Sequence, residues 1–162
     1  MDMSDDLKET NSWEVLSTEI EDVRLRLGVQ IQFVSGTVAR LQHGVLRRFA
    51  DRGITSRDDY WTMALIRRVG ERGVSITELA VAMDVTTGTI SNRIERLHNE
   101  GHLARIPHER DRRSHRVVFT ADGEKLIDEM VQAMTAVHQE CLSALSESQC
   151  DELSKLLDLC MD

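Results

Sequence analysis

The arginines of this chain are concentrated in one stretch. Between Thr86 and Arg116 there are seven arginines against four acidic residues, so the stretch carries a formal charge of +3. The whole chain carries −8, which leaves −11 for the remainder. Guanidinium groups donate paired hydrogen bonds to phosphate oxygens and to guanine edges, and a cluster of them could bind a nucleic acid. The seven are Arg93, Arg96, Arg105, Arg110, Arg112, Arg113 and Arg116.

Hydroxyl and amide side chains accompany the first of these arginines on one side of a helical pattern. Ile90, Ile94 and Leu97 mark the apolar side, and the opposite side faces outward. Small polar side chains near a helix N-terminus reach base edges in the major groove, and arginines further along bind phosphates or guanine. We therefore predict that the DNA-contacting residues of this helix are Thr86, Thr87, Thr89, Ser91, Asn92, Arg93 and Arg96.

Two short helices must position these side chains. Ser75 with Glu78 three residues later predicts a capping box that opens a helix to about Met83. A turn follows, and Thr86 or Thr87 caps a second helix. This helix ends at Gly101, because glycine readily adopts the left-handed conformation that closes a helix. Two helices joined by a tight turn are typical of a helix-turn-helix unit.

A protruding hairpin follows the second helix. Residues 102–106 and 115–119 form two extended segments, and a polar tip at 107–114 joins them. The tip is too long for a two-residue hairpin turn and fits a wing. Arginine at such a tip enters the minor groove or binds its walls. We predict that the tip residues in contact with DNA are Arg110, Asp111, Arg112 and Arg113.

Long apolar stripes flank this unit on both sides. Residues 12–51 carry apolar side chains at steps of three and four, and Gly28 predicts a break into helices of about 12–27 and 29–51. Residues 121–162 continue the pattern, with Ser146 and Gln149 capping a last helix, and residues 1–10 form a polar, disordered tail. Thr55 with Asp58 predicts a capping box for the intervening helix. The predicted core face of that helix is Trp61, Ala64, Leu65 and Val69.

The stripes also predict a partner chain. The segment from Glu124 to Leu145 places Ile127, Met130, Met134, Val137, Cys141 and Leu145 on one face, and the last helix carries Leu153, Leu156, Leu157 and Cys160. These apolar sides are too long to be covered by a lone winged-helix unit. A second copy of the chain is the simplest cover.

Other classes of protein find little support in the sequence. There is no phosphate-binding glycine loop, no HExxH and no nucleophile elbow, so an enzyme is not expected, and neither a cofactor nor a metal site is predicted. No apolar run approaches the roughly 18 residues of a membrane span, and the acidic start does not resemble a signal peptide. We expect a cytoplasmic protein that binds no membrane.

The stretch from Ile76 to Thr120 resembles the winged helix-turn-helix of the MarR family of bacterial transcriptional regulators. That family has a wing signature that fits Asp111, Arg113, Phe119 and Thr120, with phenylalanine where the family has leucine. The resemblance implies a mainly α fold with a small β-hairpin wing, in a single domain of residues 11–162. Its winged helix-turn-helix covers about 55–120, and its dimerisation helices cover about 12–51 and 121–162. It also implies a homodimer on a pseudo-palindromic operator in double-stranded DNA, with Asp111 orienting Arg113 through a salt link.

The resemblance further implies a repressor that a small aromatic or anionic effector releases from DNA. The residues expected to border the effector pocket are His43, Arg47, Tyr60 and Trp61. The N-terminal helix with Trp13 is similar to that of a urate-responsive subgroup. The early aspartate of that subgroup falls on Tyr60 here, so urate is not predicted.

Three alternatives keep the same fold and change the signal or the partner. A zinc-responsive regulator would use the histidines near the wing, which are His98, His102, His108 and His115. An oxidant-responsive regulator would use Cys141 or Cys160, which together with Cys150 form an odd set without the spacing of a metal site. A dimeric adaptor would bind a protein partner instead of DNA, in keeping with the acidic remainder of the chain.

Overall fold

The computed structural model describes residues 20–107 and 115–160. They form two compact units, the first ending at Leu41 and the second beginning at Gln42. Helix α1 spans Val23–Leu46 and is followed by a 3-10 helix, Arg47–Arg52.

The predicted break at Gly28 is wrong, because α1 continues through that residue. A glycine lowers helix stability by about 1 kcal/mol but does not prevent helical geometry.

The second unit holds the remaining elements. In chain order they are α2 (Arg57–Val69), a 3-10 turn (Gly70–Arg72), α3 (Ile76–Ala82), α4 (Thr87–Asn99), β1 (Leu103–Pro107), β2 (His115–Phe119), α5 (Ala121–Cys141) and α6 (Glu147–Asp158). The two strands are antiparallel, with Leu103 opposite Phe119 and Pro107 opposite His115. The predicted fold class, mainly α with a small β-hairpin, is confirmed.

Local capping interactions set the helix boundaries. The boxes predicted at Ser75 and at Ser146 are both present, and Thr86 caps α4. The box of α2 lies one residue later than predicted, because Ser56 is the N-cap and accepts from the backbone N–H of Asp59 at 3.3 Å. α4 ends before Gly101, whose φ of 81° is the left-handed conformation that favours glycine.

The core of the second unit differs from the prediction on α2. Met63 and Ile66 are fully buried, whereas Trp61, which was predicted to face the core, is 42% exposed. The buried side of α2 also includes the polar residues Asp59 and Thr62. Apolar periodicity alone places Trp61 on the inner face of α2, but the buried polar residues Asp59 and Thr62 rotate the observed inner face around the helix axis.

The C-terminal helices divide between the core and the surface. Ile127, Met130, Met134 and Val137 were predicted to face a partner, but they are buried within the second unit itself. The leucines of α6 are exposed, with Leu156 at 56%. In the first unit, exposed apolar side chains follow α1 at Val23, Leu27, Ile31, Val34 and Leu41.

Among the helices of residues 20–107 and 115–160, none has both the length and the hydrophobicity of a membrane span.

Candidate nucleic-acid interface

Helix α4 presents a polar N-terminal surface. Thr86, at the N-cap, accepts from the backbone N–H of Thr89 at 3.2 Å, and the two hydroxyls lie 2.9 Å apart. Thr87, Thr89 and Asn92 are exposed, and Ser91 is half-buried. On the other side Ile90, Ile94 and Leu97 are fully buried, as predicted. The apolar side therefore anchors the helix, and its first turn offers hydroxyl and amide groups to a ligand.

Arg93 does not point outward, which contradicts the orientation that was predicted for it. Its side chain is only 11% exposed, and its Nη2 lies 3.0 Å from Oδ2 of Asp58 on α2. Its Nη1 also donates to the hydroxyl of Thr62 at 3.1 Å. The side chain turns inward because two groups on the neighbouring helix accept from it.

Arg96 is also engaged by the region before and within α2. Its two terminal nitrogens donate to the carbonyl of Gly53 and to Oδ1 of Asp59. Asp59 is fully buried, so its charge depends on these partners. Sequence reasoning missed Asp59 as a link between helices. Its place three residues after Ser56 fits a capping box, but its arginine partners lie far along the chain and leave no local signal.

The strands of the wing are described, and its tip is not. Arg105 on β1 is exposed, whereas Arg116 on β2 is ion-paired with Glu78 at 2.8 Å and has a side chain that is 14% exposed. The predicted contacts Arg110, Asp111, Arg112 and Arg113 lie outside the described residues. Of the seven arginines, the structure thus engages Arg93, Arg96 and Arg116 in contacts within the chain.

The four residues predicted for an effector pocket have different surroundings. His43 and Arg47 are exposed. Tyr60 is buried and packs edge-to-face on Trp61, with the ring centroids 5.2 Å apart. Burial raises the pKa of the Tyr60 phenol above its usual value, and the Arg67 guanidinium partly offsets the rise. A cavity of about 530 Å³ lies by the end of α2, the wing strands and the start of α5, and none of the four lines it.

The histidines and cysteines weighed for sensing are also placed, except for His108, which lies outside the described residues. The Nδ1 of His98 lies 2.7 Å from the carbonyl of Leu103, and the buried His102 has its Nε2 2.8 Å from the carbonyl of Arg52. Cys141 and Cys150 are half-buried and Cys160 is exposed, all three as free thiols. In the part of the chain that the structure covers, no group of three or more His, Cys, Asp or Glu side chains could hold a metal ion.

Comparison with known proteins agrees with this architecture. A family model described as the MarR family matches residues 52–114, the stretch from the end of the 3-10 helix through the wing tip. The transcriptional regulator PecS of Dickeya dadantii is 28% identical over 135 residues, which make up 81% of this chain and 81% of PecS. Residues 52–114 thus match the MarR family, and the chain as a whole is similar to MarR-type regulators in sequence and fold. MarR-family members are transcription regulators rather than enzymes, and the matches support the same class for this chain.

Further relatives and solved structures show the same similarity. The repressor YetL of Bacillus subtilis is 26% identical over 113 residues, which are 70% of this chain and 65% of YetL. Among solved structures, a MarR variant of E. coli in complex with operator DNA has a TM-score of 0.70 at 22% identity, covering 88% of this chain and 100% of that one. The S. aureus MepR–DNA complex has a TM-score of 0.70 at 19% identity, covering 83% and 95%. At these identities the structural likeness establishes the fold.

Proposed function

We propose that this MarR-like chain binds double-stranded DNA, with α4 in the major groove and the wing along the adjacent minor groove. The observation that carries the proposal is the exposed polar N-terminus of α4, where Thr87, Thr89 and Asn92 are presented by a helix whose other side is fully buried. A helix that is rigidly packed and has small polar groups at its first turn fits the groove and reaches base edges. The wing tip supplies Arg110, Arg112 and Arg113 in the same proposal.

The proposed DNA-binding form is a homodimer. Exposed apolar side chains follow α1, and α6 exposes Leu153, Leu156 and Leu157. Exposed apolar surface of this extent marks a protein interface more often than free surface. A two-fold dimer presents two copies of α4, so we expect a pseudo-palindromic operator with half-sites about one helical turn, roughly 34 Å, apart.

We further propose that the dimer represses transcription and that a small aromatic or anionic effector releases it. A dimer bound at a promoter excludes other proteins from the same DNA, so repression requires no further binding surface on the regulator. His43, Arg47, Tyr60 and Trp61 remain the proposed effector contacts. The exposed guanidinium of Arg47 supplies a charge for an anion, and the Tyr60–Trp61 pair supplies aromatic surface. A regulator of chromosomal DNA acts in the cytoplasm, which is the proposed location.

Binding of the purified chain to fragments of its own genome tests the DNA-binding proposal. We expect recovery of fragments that share a pseudo-palindrome, with an affinity that falls steeply between about 50 and 200 mM salt because bound phosphates release counterions. Asn92→Ala should weaken binding to the recovered site by about tenfold or more, the size of one lost base contact. Asn99→Ala, the same change at the other end of α4, should leave it within about threefold.

The outcome that contradicts this proposal is equally specific. If no fragment is enriched at any salt concentration, the chain does not act through DNA, and an adaptor that binds a protein partner becomes the better reading. The effector proposal has its own test, a screen for compounds that release the recovered fragment. Arg47→Ala should raise the concentration needed for release, and Arg48→Ala, which removes the neighbouring exposed arginine, should not.

A further inference from the structure

One buried carboxylate joins the start of α2 to α4, the helix that we propose to lie in the major groove. Asp59 is 0% exposed. Its Oδ2 accepts from the backbone N–H of Thr55 at 2.8 Å, from the Thr55 hydroxyl at 3.0 Å and from the backbone N–H of Ser56 at 2.9 Å. Its Oδ1 accepts from Arg96 and lies 3.5 Å from Nε of Arg93. One oxygen therefore serves the cap of α2 and the other serves α4.

The two arginines are held at further points besides Asp59. Arg96 also donates to the carbonyl of Gly53, in the loop before α2. Arg93 also contacts Asp58 and donates to Thr62, both on α2. The Arg96 guanidinium thus spans two groups of the α2 region, and the Arg93 guanidinium spans three. A planar guanidinium with several fixed donors can do this, whereas a lysine ammonium cannot match the geometry.

We infer that Asp59, Arg93 and Arg96 are positioning residues that hold α4 against α2, and that neither arginine binds DNA phosphate. The inference rests on the proposed DNA binding and specifies how the interface is built. If either arginine swung out to a phosphate, the buried Asp59 carboxylate would keep only one of its two cationic partners, and removing a partner from a buried charge is strongly unfavourable. The basic contacts to DNA therefore come from other residues, including the exposed Arg105 and the wing tip.

Removing the charge of Asp59 distinguishes positioning from simple electrostatics. Asp59→Asn removes a negative charge close to the interface, so electrostatics alone would strengthen DNA binding. Positioning has the opposite consequence, and we expect operator affinity to fall by about tenfold or more. Asp84→Asn is the matched control, since Asp84 lies in the exposed turn before α4 with a φ of 53° that asparagine also adopts. It should bind with unchanged or higher affinity.

Arg96→Lys provides a second test that keeps the charge. If Arg96 contacted a phosphate, the contact would largely survive this change, and both the affinity and the slope of log affinity against log salt would stay near those of the wild type. We expect weaker binding with an unchanged slope, because all phosphate contacts remain and only the orientation of α4 is lost. The Asp59→Asn/Arg96→Lys double variant should be little worse than Asp59→Asn alone, since the two side chains act together. Wild-type affinity or a reduced slope for Arg96→Lys, or strictly additive losses, would overturn the inference.

Amide hydrogen exchange of the free protein separates this inference from the proposed function, because it requires no DNA. In Asp59→Asn we expect faster exchange across residues 87–99, while residues 121–141 keep their wild-type protection. Equal acceleration in both segments would show a general loss of stability, and no acceleration in residues 87–99 would show that α4 is held by other contacts. Either result contradicts positioning. Failure of the wild-type chain to bind any DNA would count against the proposed function alone.

Discussion

Arg116 on β2 donates from Nη2 to both carboxylate oxygens of Glu78 on α3, at 3.1 and 2.8 Å. Its Nε also donates to the carbonyl of Gly73 at 3.0 Å. The wing strand is thereby attached to the first helix of the helix-turn-helix. The backbone N–H of Ser75 lowers the pKa of Glu78 most, burial opposes the change, and the Ser75 hydroxyl and Arg116 lower the pKa further.

This relationship predicts a dependence of stability on pH. A carboxylate whose pKa is lowered in the folded state stabilises the fold above its usual pKa of 4.5, and the contribution is lost as pH falls through the lower folded value. Glu78→Gln keeps the capping box but has no charge to titrate. We expect the wild-type unfolding free energy to fall more than that of the variant between about pH 5 and pH 3.

Urea unfolding of both proteins across this range measures the effect. At neutral pH the two should differ by less than about 1 kcal/mol, because the pair is partly exposed and screened by water. Glu95→Gln, at an exposed position on α4, should follow the wild-type profile. Parallel profiles for wild type and Glu78→Gln would show that the ion pair contributes nothing to folding.

Substitution by alanine should change the stability of the fold in opposite directions at Gly123 and at Gly28. A Cβ at Gly123 would lie 2.0 Å from the backbone oxygen of His102, so the start of α5 could no longer pack against the turn after α4. A Cβ at Gly28 would meet nothing within 4 Å. We expect Gly123→Ala to destabilise the fold by about 2 kcal/mol or more, as overpacking does. Gly28→Ala should raise helix stability by up to about 1 kcal/mol. Thermal unfolding measures both, and equal effects would contradict the close approach at Gly123.

A substitution in the wing should remove DNA binding and leave the oligomeric state unchanged. Arg113→Ala should abolish operator binding in a gel-shift titration, because the proposed minor-groove contact is lost, while light scattering shows the same oligomer as the wild type. Lys125→Ala removes the same charge from α5 and should change affinity by less than about threefold. An unchanged affinity for Arg113→Ala would remove the wing from the mechanism.

The exposed face of α1 makes the complementary prediction. Leu41 is 41% exposed, and Leu41→Glu should break the proposed dimer, because a charge would have to be buried in an apolar interface. DNA binding should be lost with it, since one winged module makes half of the contacts. Gln32→Glu introduces the same charge at another exposed position of α1 and should remain dimeric. A Leu41→Glu protein that stays dimeric in light scattering would place the interface elsewhere.

Much of the fold was predictable from the sequence, because the interactions that set it are local. The capping box of Ser75 and Glu78 joins groups three residues apart, and Gly101 ends α4 through its own backbone conformation. Ile90, Ile94 and Leu97 repeat with the helical period and are all buried. Each of these features depends on neighbours within one or two helical turns, so the order of residues is sufficient to predict it.

The sequence by itself determined the helix-turn-helix, its hairpin and the polar first turn of α4. Only the tertiary structure decided which polar side chains are buried. Asp59 and Thr62 lie inside, and Arg93 turns toward them, because the folded chain brings α2 and α4 together. Whether a charged side chain is exposed or buried depends on a partner that is distant along the chain, and helical periodicity carries no information about such a partner.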